Sequence, residues 1–267
     1  RGSVDDVAGL KPTEFSVLSL AAGLFNRWNR VSMNVGGSLR RRDYDDVPVT
    51  GGTVNNDDRD RDEFKLDLRA GYEIQSEYEA FVQFILTSVD YEDAVDDNGL
   101  NRDNDGFEIR AGARIDLTAL LFGDVFIGYL NRDYEAATLK SVETGVAGID
   151  LTWNMTRLTT IKGGVSRGVS ETTLTTASGV VSTGARVSAD HELLRNLILS
   201  ARLSRSQDAF EGSSREDDYF HAGIGAKYLL NRYFSLSLDY DYANRDSSAS
   251  GADYDINKIM LRLRGQL

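Results

Sequence analysis

Cysteine is absent from the 267 residues, and only two prolines and two histidines occur. Without cysteine there is no disulfide scaffold, no thiolate metal site and no thiol nucleophile, although the compartment stays open because an oxidising one does not oblige a protein to carry disulfides. Pro12 and Pro48 both fall outside the segments that alternate in polarity, as strands flanked on both sides require, since proline removes a ladder donor. No apolar run approaches the ~20 residues of a membrane-spanning helix, and mean hydropathy is −0.35. Positive charge is also scarce: 30 Lys and Arg stand against 42 Asp and Glu, a net charge of −12, which excludes nucleic acid as a natural partner.

What the chain does have is alternation, repeated from residue 13 to Leu267. In Phe107 to Leu117 the residues Phe107, Ile109, Ala111, Ala113, Ile115 and Leu117 share one face, and Glu108, Arg110, Arg114 and Asp116 the other. Phe234, Leu236, Leu238, Tyr240 and Tyr242 alternate with Ser235, Ser237, Asp239 and Asp241. Ile259, Leu261, Leu263, Gly265 and Leu267 alternate with Lys258, Met260, Arg262, Arg264 and Gln266, and Phe64 to Tyr72 repeats the pattern against Lys65, Asp67 and Arg69. A period of two is the signature of a strand with unlike faces. Soluble sandwiches alternate too, but their strands average about 5 or 6 residues, whereas these segments run to roughly 10 to 14, enough to cross a bilayer at a tilt. Full charges of both signs at mid-strand suit a wet lumen better than a packed core. The pattern predicts an all-β fold, a transmembrane antiparallel up-and-down β-barrel, because in lipid only a closed barrel satisfies the backbone of strands.

Thirteen strands are predicted, over residues 13–25, 30–43, 63–74, 78–91, 106–118, 124–135, 142–153, 157–170, 180–191, 197–209, 218–230, 233–245 and 254–267. Short turns are read at Asn26 to Trp28, Gln75 to Glu77, Ala119 to Asp124, Asn154 to Thr156, Leu194 to Asn196 and Asn231 to Arg232, with longer loops between them. Short periplasmic turns and long extracellular loops orient such barrels. An odd count sits poorly with the even number usual in bacterial barrels, so a barrel of about 14 strands or more is expected. Either Val4 to Leu10 is a poor extra strand within a 1–12 loop, or this is the C-terminal part of a longer chain. Residues 1–267 read as a single barrel domain. Aromatic residues flank the turns (Trp28, Tyr72, Tyr78, Trp153, Tyr228, Tyr233, Phe234) and the long loops (Tyr44, Tyr91, Tyr134, Tyr219), as two interfacial girdles would require.

Acidity is concentrated in loops, as in Asn55 to Glu63 (NNDDRDRDE) and Glu92 to Gly106. These read as solvated surface, with divalent cations bridging them to lipopolysaccharide as the sharper alternative. Asn101, Asp103, Asp105 and Gly106 match half of a calcium loop, but Gly112 stands where the closing Glu belongs. His191, beside Asp190 and Glu192, and His221, near Asp217 and Asp218, are the only imidazoles available for acid–base work. No nucleophile motif, phosphate loop or metal spacing accompanies them, so neither an enzyme nor a cofactor is expected. The lumen-lining set expected from the alternation is Lys65, Asp67, Arg69, Glu108, Arg110, Arg114, Asp116, Arg186, Asp190, Arg202, Lys227, Asp239, Asp241, Arg262 and Arg264. These charges either brace a nearly closed interior or line a pore whose transverse field selects solutes.

The second half carries LTWNMTRLTT (Leu151 to Thr160), HELLRNL (His191 to Leu197), YLLNRY (Tyr228 to Tyr233) and DYDYANRDSS (Asp239 to Ser248). Together these resemble the Putative β-barrel porin 2 family of Gram-negative outer-membrane proteins. The resemblance implies an outer-membrane barrel in contact with lipid and lipopolysaccharide, and a porin-like channel or portal associated with surface polysaccharide export. A barrel with an occluded lumen that anchors polysaccharide, a surface layer or partner envelope proteins is the alternative. The ending at Leu267 departs from the terminal Phe common in such barrels while keeping the apolar alternation.

Overall fold

The computed structural model describes residues 11, 13–117, 120–172, 174 and 176–266. The strands are β1 (Phe15–Trp28), β2 (Val31–Tyr44), β3 (Val47–Val49), β4 (Gly52–Val54), β5 (Arg61–Gln75), β6 (Tyr78–Tyr91), β7 (Asn104–Leu117), β8 (Leu121–Tyr134), β9 (Val142–Thr156), β10 (Thr159–Ser170), β11 (Val180–Leu194), β12 (Leu197–Phe210), β13 (Glu216–Leu229), β14 (Phe234–Ser247) and β15 (Tyr254–Gly265). Thirteen of them form one antiparallel sheet in which neighbours in sequence are neighbours in space, the topology of an up-and-down barrel. Each of these thirteen matches a predicted strand, and each is longer than a globular protein ordinarily uses.

Three predicted turns move. Of the turn read at Ala119 to Asp124, residues 121–124 belong to β8 and pair with β7, and Ala119 lies outside the described residues. Trp28 pairs with Val31 and Thr156 with Thr159, leaving two-residue turns at residues 29–30 and 157–158 in place of Asn26 to Trp28 and Asn154 to Thr156. Asn29 has φ of 53°, the left-handed conformation that tight hairpins demand and that asparagine tolerates. The loop after β2, read as irregular, folds into the hairpin β3–β4 and a 3-10 turn at Asp57–Arg59. Pro48 therefore lies in a strand after all, opposite Thr53; in a two-stranded ribbon every strand is an edge, where proline is tolerated. Pro12 and Val4 to Leu10 lie outside the described residues.

Directly paired residues of an antiparallel ladder share a face, so the register carries each face across the sheet. Lys65 pairs with Thr87, Thr87 with Gly106, Gly106 with Arg132 and Arg132 with Val142. This face is concave. Arg69 on β5 donates to Asp124 on β8 at 2.9 Å, although three strand spacings on a flat sheet come to about 14 Å. The opposite face presents Leu24, Ile127 and Ile259 at 79%, 72% and 76% exposure. An apolar surface running the height of every strand has no place in water and is what a hydrocarbon layer requires.

Trp28, Tyr72, Tyr78, Trp153, Tyr228 and Phe234 all lie on this apolar face near the short turns, forming the expected girdle. At the long-loop end the expectation fails: Tyr44, Tyr91, Tyr134 and Tyr219 fall in the polar-face register. Arginines draw some of them inward, with Arg59 over the Tyr44 ring and Arg61 over Tyr91.

β1 and β15 are the two edges of the described sheet. Both run from the long-loop end to the short-turn end, so a direct β1–β15 ladder would be parallel, and antiparallel closure takes a further strand between them.

Candidate functional site: the charged concave face

All fifteen charged residues expected to line a lumen lie on the concave face, by the registers of β5, β7 and β11 to β15. Part of the set is brought together. Asp124 receives both Arg69 at 2.9 Å and Arg114 at 3.0 Å, and Arg69 also lies 4.0 Å from Glu79 and over the Phe81 ring. Arg110 pairs with Glu108 and stacks on Phe126, and Asp67 accepts from Gln83 at 2.6 Å. On the other half, Arg186 pairs with Asp150, and Arg202 donates to Asp241 at 2.9 Å with Asp239 3.8 Å away.

Glycines in the strands between make these reaches possible. Arg202 on β12 crosses β13 to Asp241 on β14 over Gly223, where a Cβ would meet both side chains at 2.6 Å. Arg186 crosses β10 to Asp150 over Gly164 in the same way. Lys65, Asp116, Asp190, Lys227 and Arg264 make no ion pair with another described residue, and the Arg262 guanidinium donates to the Met260 sulfur at 3.1 Å without an acidic partner among the described residues. The concave face is thus braced in the middle and unneutralised toward its ends.

Sequence reasoning missed Glu79, Asp124, Asp150 and Arg132 on the same face. Asp124 and Arg132 stand eight residues apart in β8, at the same phase of a two-residue period, and Asp150 alternates with Ile149 and Leu151 in β9, which was the available signal on those strands. β6 gave none, because Phe81, Ile85 and Val89 face the concave side while Val82, Phe84 and Leu86 face out, leaving an apolar run with no unlike faces.

Over the long-loop end the connections fold together. Arg102, in the β6–β7 loop, is buried against Asp96 at 2.7 Å, the two side chains being 1% and 2% exposed. Its remaining donors reach the Thr172, Leu174 and Ala177 carbonyls of the β10–β11 loop at 2.9, 3.0 and 3.2 Å. Ala177, Val180 and Phe210, with Leu174, give that loop a small apolar seat. Glu171 reaches back to Arg132 on β8 and accepts from Asn104 Nδ2 at 3.2 Å. Burial raises the Glu171 carboxyl above its ordinary value against the pull of Arg132. Asp96 is also desolvated, but the N–H groups of Leu100 and Asn98 and the Arg102 guanidinium outweigh burial and hold its carboxyl low.

Asp58, in the β2–β5 connection, is pushed up to about 6 by burial and then by the charges of Asp97 and Asp96. Between the ordinary carboxyl value and about 6 the folded loops hold this proton and the unfolded chain does not. Raising pH through that window therefore weakens the loop packing, and the cost is fully present above it. Hydrogen exchange at the Arg59 and Asp60 amides, bonded to Asn56 and Asp57, is expected to be more protected at about pH 5 than at about pH 7.5 after correction for intrinsic rates. Asp58→Asn should flatten that difference; equal protection at both pH values in the wild type would refute it.

The candidate acid–base groups do not assemble. His191 meets Thr159 Oγ1 at 2.9 Å on the face opposite Asp190 and Glu192. His221 lies 3.4 Å from Asp241, whereas Asp218 is on the other face with Arg205 at 3.3 Å, and Asp217 with Arg215 at 2.8 Å. The partial calcium pattern is not a loop: Asp105 and Gly106 are in β7, Asn101 caps the Asp103 amide and Asp103 accepts from the Tyr91 amide at 2.7 Å. Among the described residues no group of three or more acidic or histidine side chains is placed to hold a metal ion.

A family model described as Putative beta-barrel porin 2 matches residues 1–267. No curated protein matches the sequence. Among solved structures, the alcaligin outer-membrane receptor FauA of Bordetella pertussis is similar at 12% identity and a TM-score of 0.52, over 94% of this chain and 50% of that one. The siderophore receptor PiuA of Acinetobacter baumannii is similar at 10% identity and a TM-score of 0.52, over 91% and 49%. FpvAI, in its complex with pyocin S2, is similar at 10% identity and a TM-score of 0.54, over 92% and 44%. The chain spans about half the length of these solved receptors, and the likeness is one of fold.

Proposed function

This chain belongs to the Putative beta-barrel porin 2 family, a porin-like β-barrel of the Gram-negative outer membrane, and on that premise we propose that its concave charged face lines a lumen through which polar solutes pass. The observation that carries this reading is the arrangement of opposite charges across the concave face, with Arg69, Arg114 and Asp124 braced together while Lys65, Lys227, Arg262 and Arg264 keep unneutralised charge. Braced charges fix a transverse field, and unneutralised ones bias which ions enter. The association with surface polysaccharide export rests on the resemblance of the second-half motifs. A second reading, an anchoring barrel with a closed mouth, is favoured by one feature, the β6–β7 and β10–β11 loops locked over the long-loop end by Arg102.

Conductance of the folded protein in planar bilayers separates the two. Stable openings are expected, with cation preference increasing when Arg110, Arg114 and Arg262 are replaced by glutamine. Silence across many insertions, with folding verified by heat-modifiable gel mobility, would reject the channel in favour of the anchor.

A further inference from the structure

Glu63 on β5 is the hub of an unusual charge imbalance. Its carboxylate meets Arg42 Nε at 2.9 Å, Arg61 Nε at 3.0 Å and Arg40 Nη1 at 3.4 Å. One carboxylate cannot neutralise three guanidiniums. The three arginines line a cavity of about 460 Å³ on the concave face, just below the long-loop end, together with Arg59, Lys65 and Arg132. Besides Arg59, five basic side chains share that wall with two acidic ones, Glu63 and Glu171, in a chain whose net charge is −12.

Two further observations point to a missing anion. Arg132 is nine-tenths buried and its pairing with Glu171 uses one of the two carboxylates, which leaves Glu63 alone to the three arginines around it. Lys65, also in the lining, makes no ion pair or hydrogen bond with a described residue. The rest of the wall carries hydroxyl groups from Ser38, Thr87, Ser170 and Thr172, and the Tyr44 ring beneath Arg59. The volume is within the roughly 300–1,000 Å³ of small-ligand pockets.

We propose that this arginine-cornered cavity is a binding site for a small sugar bearing one oxyanion, a carboxylate or a sulfate, at the mouth of the lumen. The guanidinium forks take the oxyanion in paired hydrogen bonds, and the wall hydroxyls take the sugar hydroxyls. Because the surrounding loops are acidic, the attraction is local: at physiological salt a charge is screened within about 8 Å, so recognition occurs by contact in the pocket and not by steering from outside. The inference deepens the channel reading by naming its solute class, yet the site itself does not require conduction.

The test is calorimetric titration of the full folded chain in detergent micelles at low ionic strength with D-glucuronate, glucose 6-sulfate and D-glucose. Glucuronate and the sulfate are expected to bind, with glucose at least tenfold weaker. Lys65→Gln, an exposed side chain with no packing role, is expected to weaken glucuronate at least fivefold, and Arg132→Gln further, with folding checked by heat-modifiable mobility. Equal affinity for glucose and glucuronate, no binding of either anion, or an unchanged affinity in Lys65→Gln would each overturn the site. In bilayers, glucuronate should block the open wild-type channel, and Lys65→Gln should need an at least fivefold higher concentration for the same block. A chain that binds glucuronate but never conducts would reject the channel and leave the site standing.

Discussion

Replacing Arg102 by methionine is expected to free the β6–β7 loop from the β10–β11 loop without unfolding the barrel. The guanidinium satisfies Asp96 and three backbone carbonyls in a region closed to water. Removing one partner of a buried pair leaves the other charge uncompensated, typically a loss of about 3–5 kcal/mol. Methionine keeps most of the volume, so the loss is electrostatic. The loops should become cleavable by protease and their amides should exchange, while heat-modifiable mobility stays that of the wild type. The Arg102→Met, Asp96→Asn double variant should regain part of the loss, because the uncompensated charge is gone while the amide oxygen still accepts from the Asn98 and Leu100 N–H groups. Loop protection unchanged in the single variant would show that the lock is not what holds these segments. The same variant reports on function: if the locked loops occlude the mouth, its single-channel current should exceed the wild type's.

Ile127→Arg is expected to abolish assembly, whereas Ser200→Arg is expected to be tolerated. Ile127 is in the middle of β8 on the apolar face and is 72% exposed. If that face meets lipid, an arginine near the midplane costs about 2–4 kcal/mol, a large share of the stability of any domain. Ser200 lies on the concave face, opposite Asp190 on β11 and beside Gly225, behind which stands Asp239. A new guanidinium there has water and two carboxylates for company. The readout is the fraction of protein recovered in the folded, heat-modifiable form in liposomes. Equal recovery of the two variants would show that neither face is singled out by lipid, and the reverse order that the faces had been assigned the wrong way round.

Much of this was legible in the chain. A strand that alternates Glu108, Arg110, Arg114 and Asp116 with Phe107, Ile109, Ala111 and Ala113 can satisfy both sets only by separating them, so the strands and the membership of the two faces followed from local chemistry. The turn errors were small because hairpin register is set by one or two residues, here by an asparagine whose tolerance of left-handed backbone is not visible in polarity. The Glu63 cluster, by contrast, draws Arg40 and Arg42 from β2, Lys65 from β5 and Arg132 from β8, and no spacing along the sequence encodes such a meeting.

The sequence by itself determined that the chain makes long membrane-crossing strands, which side of β5, β7 and β11 to β15 is charged, and that the acidic stretches are mostly loop, because all three depend on periods of two and on local turn residues. Only the tertiary structure decided which charges meet, which loops lock together and which way the long-loop tyrosines face. Those outcomes depend on the curvature of the sheet, which brings residues two or three strands apart into contact, and on glycines that clear the path between them. Curvature is a property of the whole sheet and is written in no single strand.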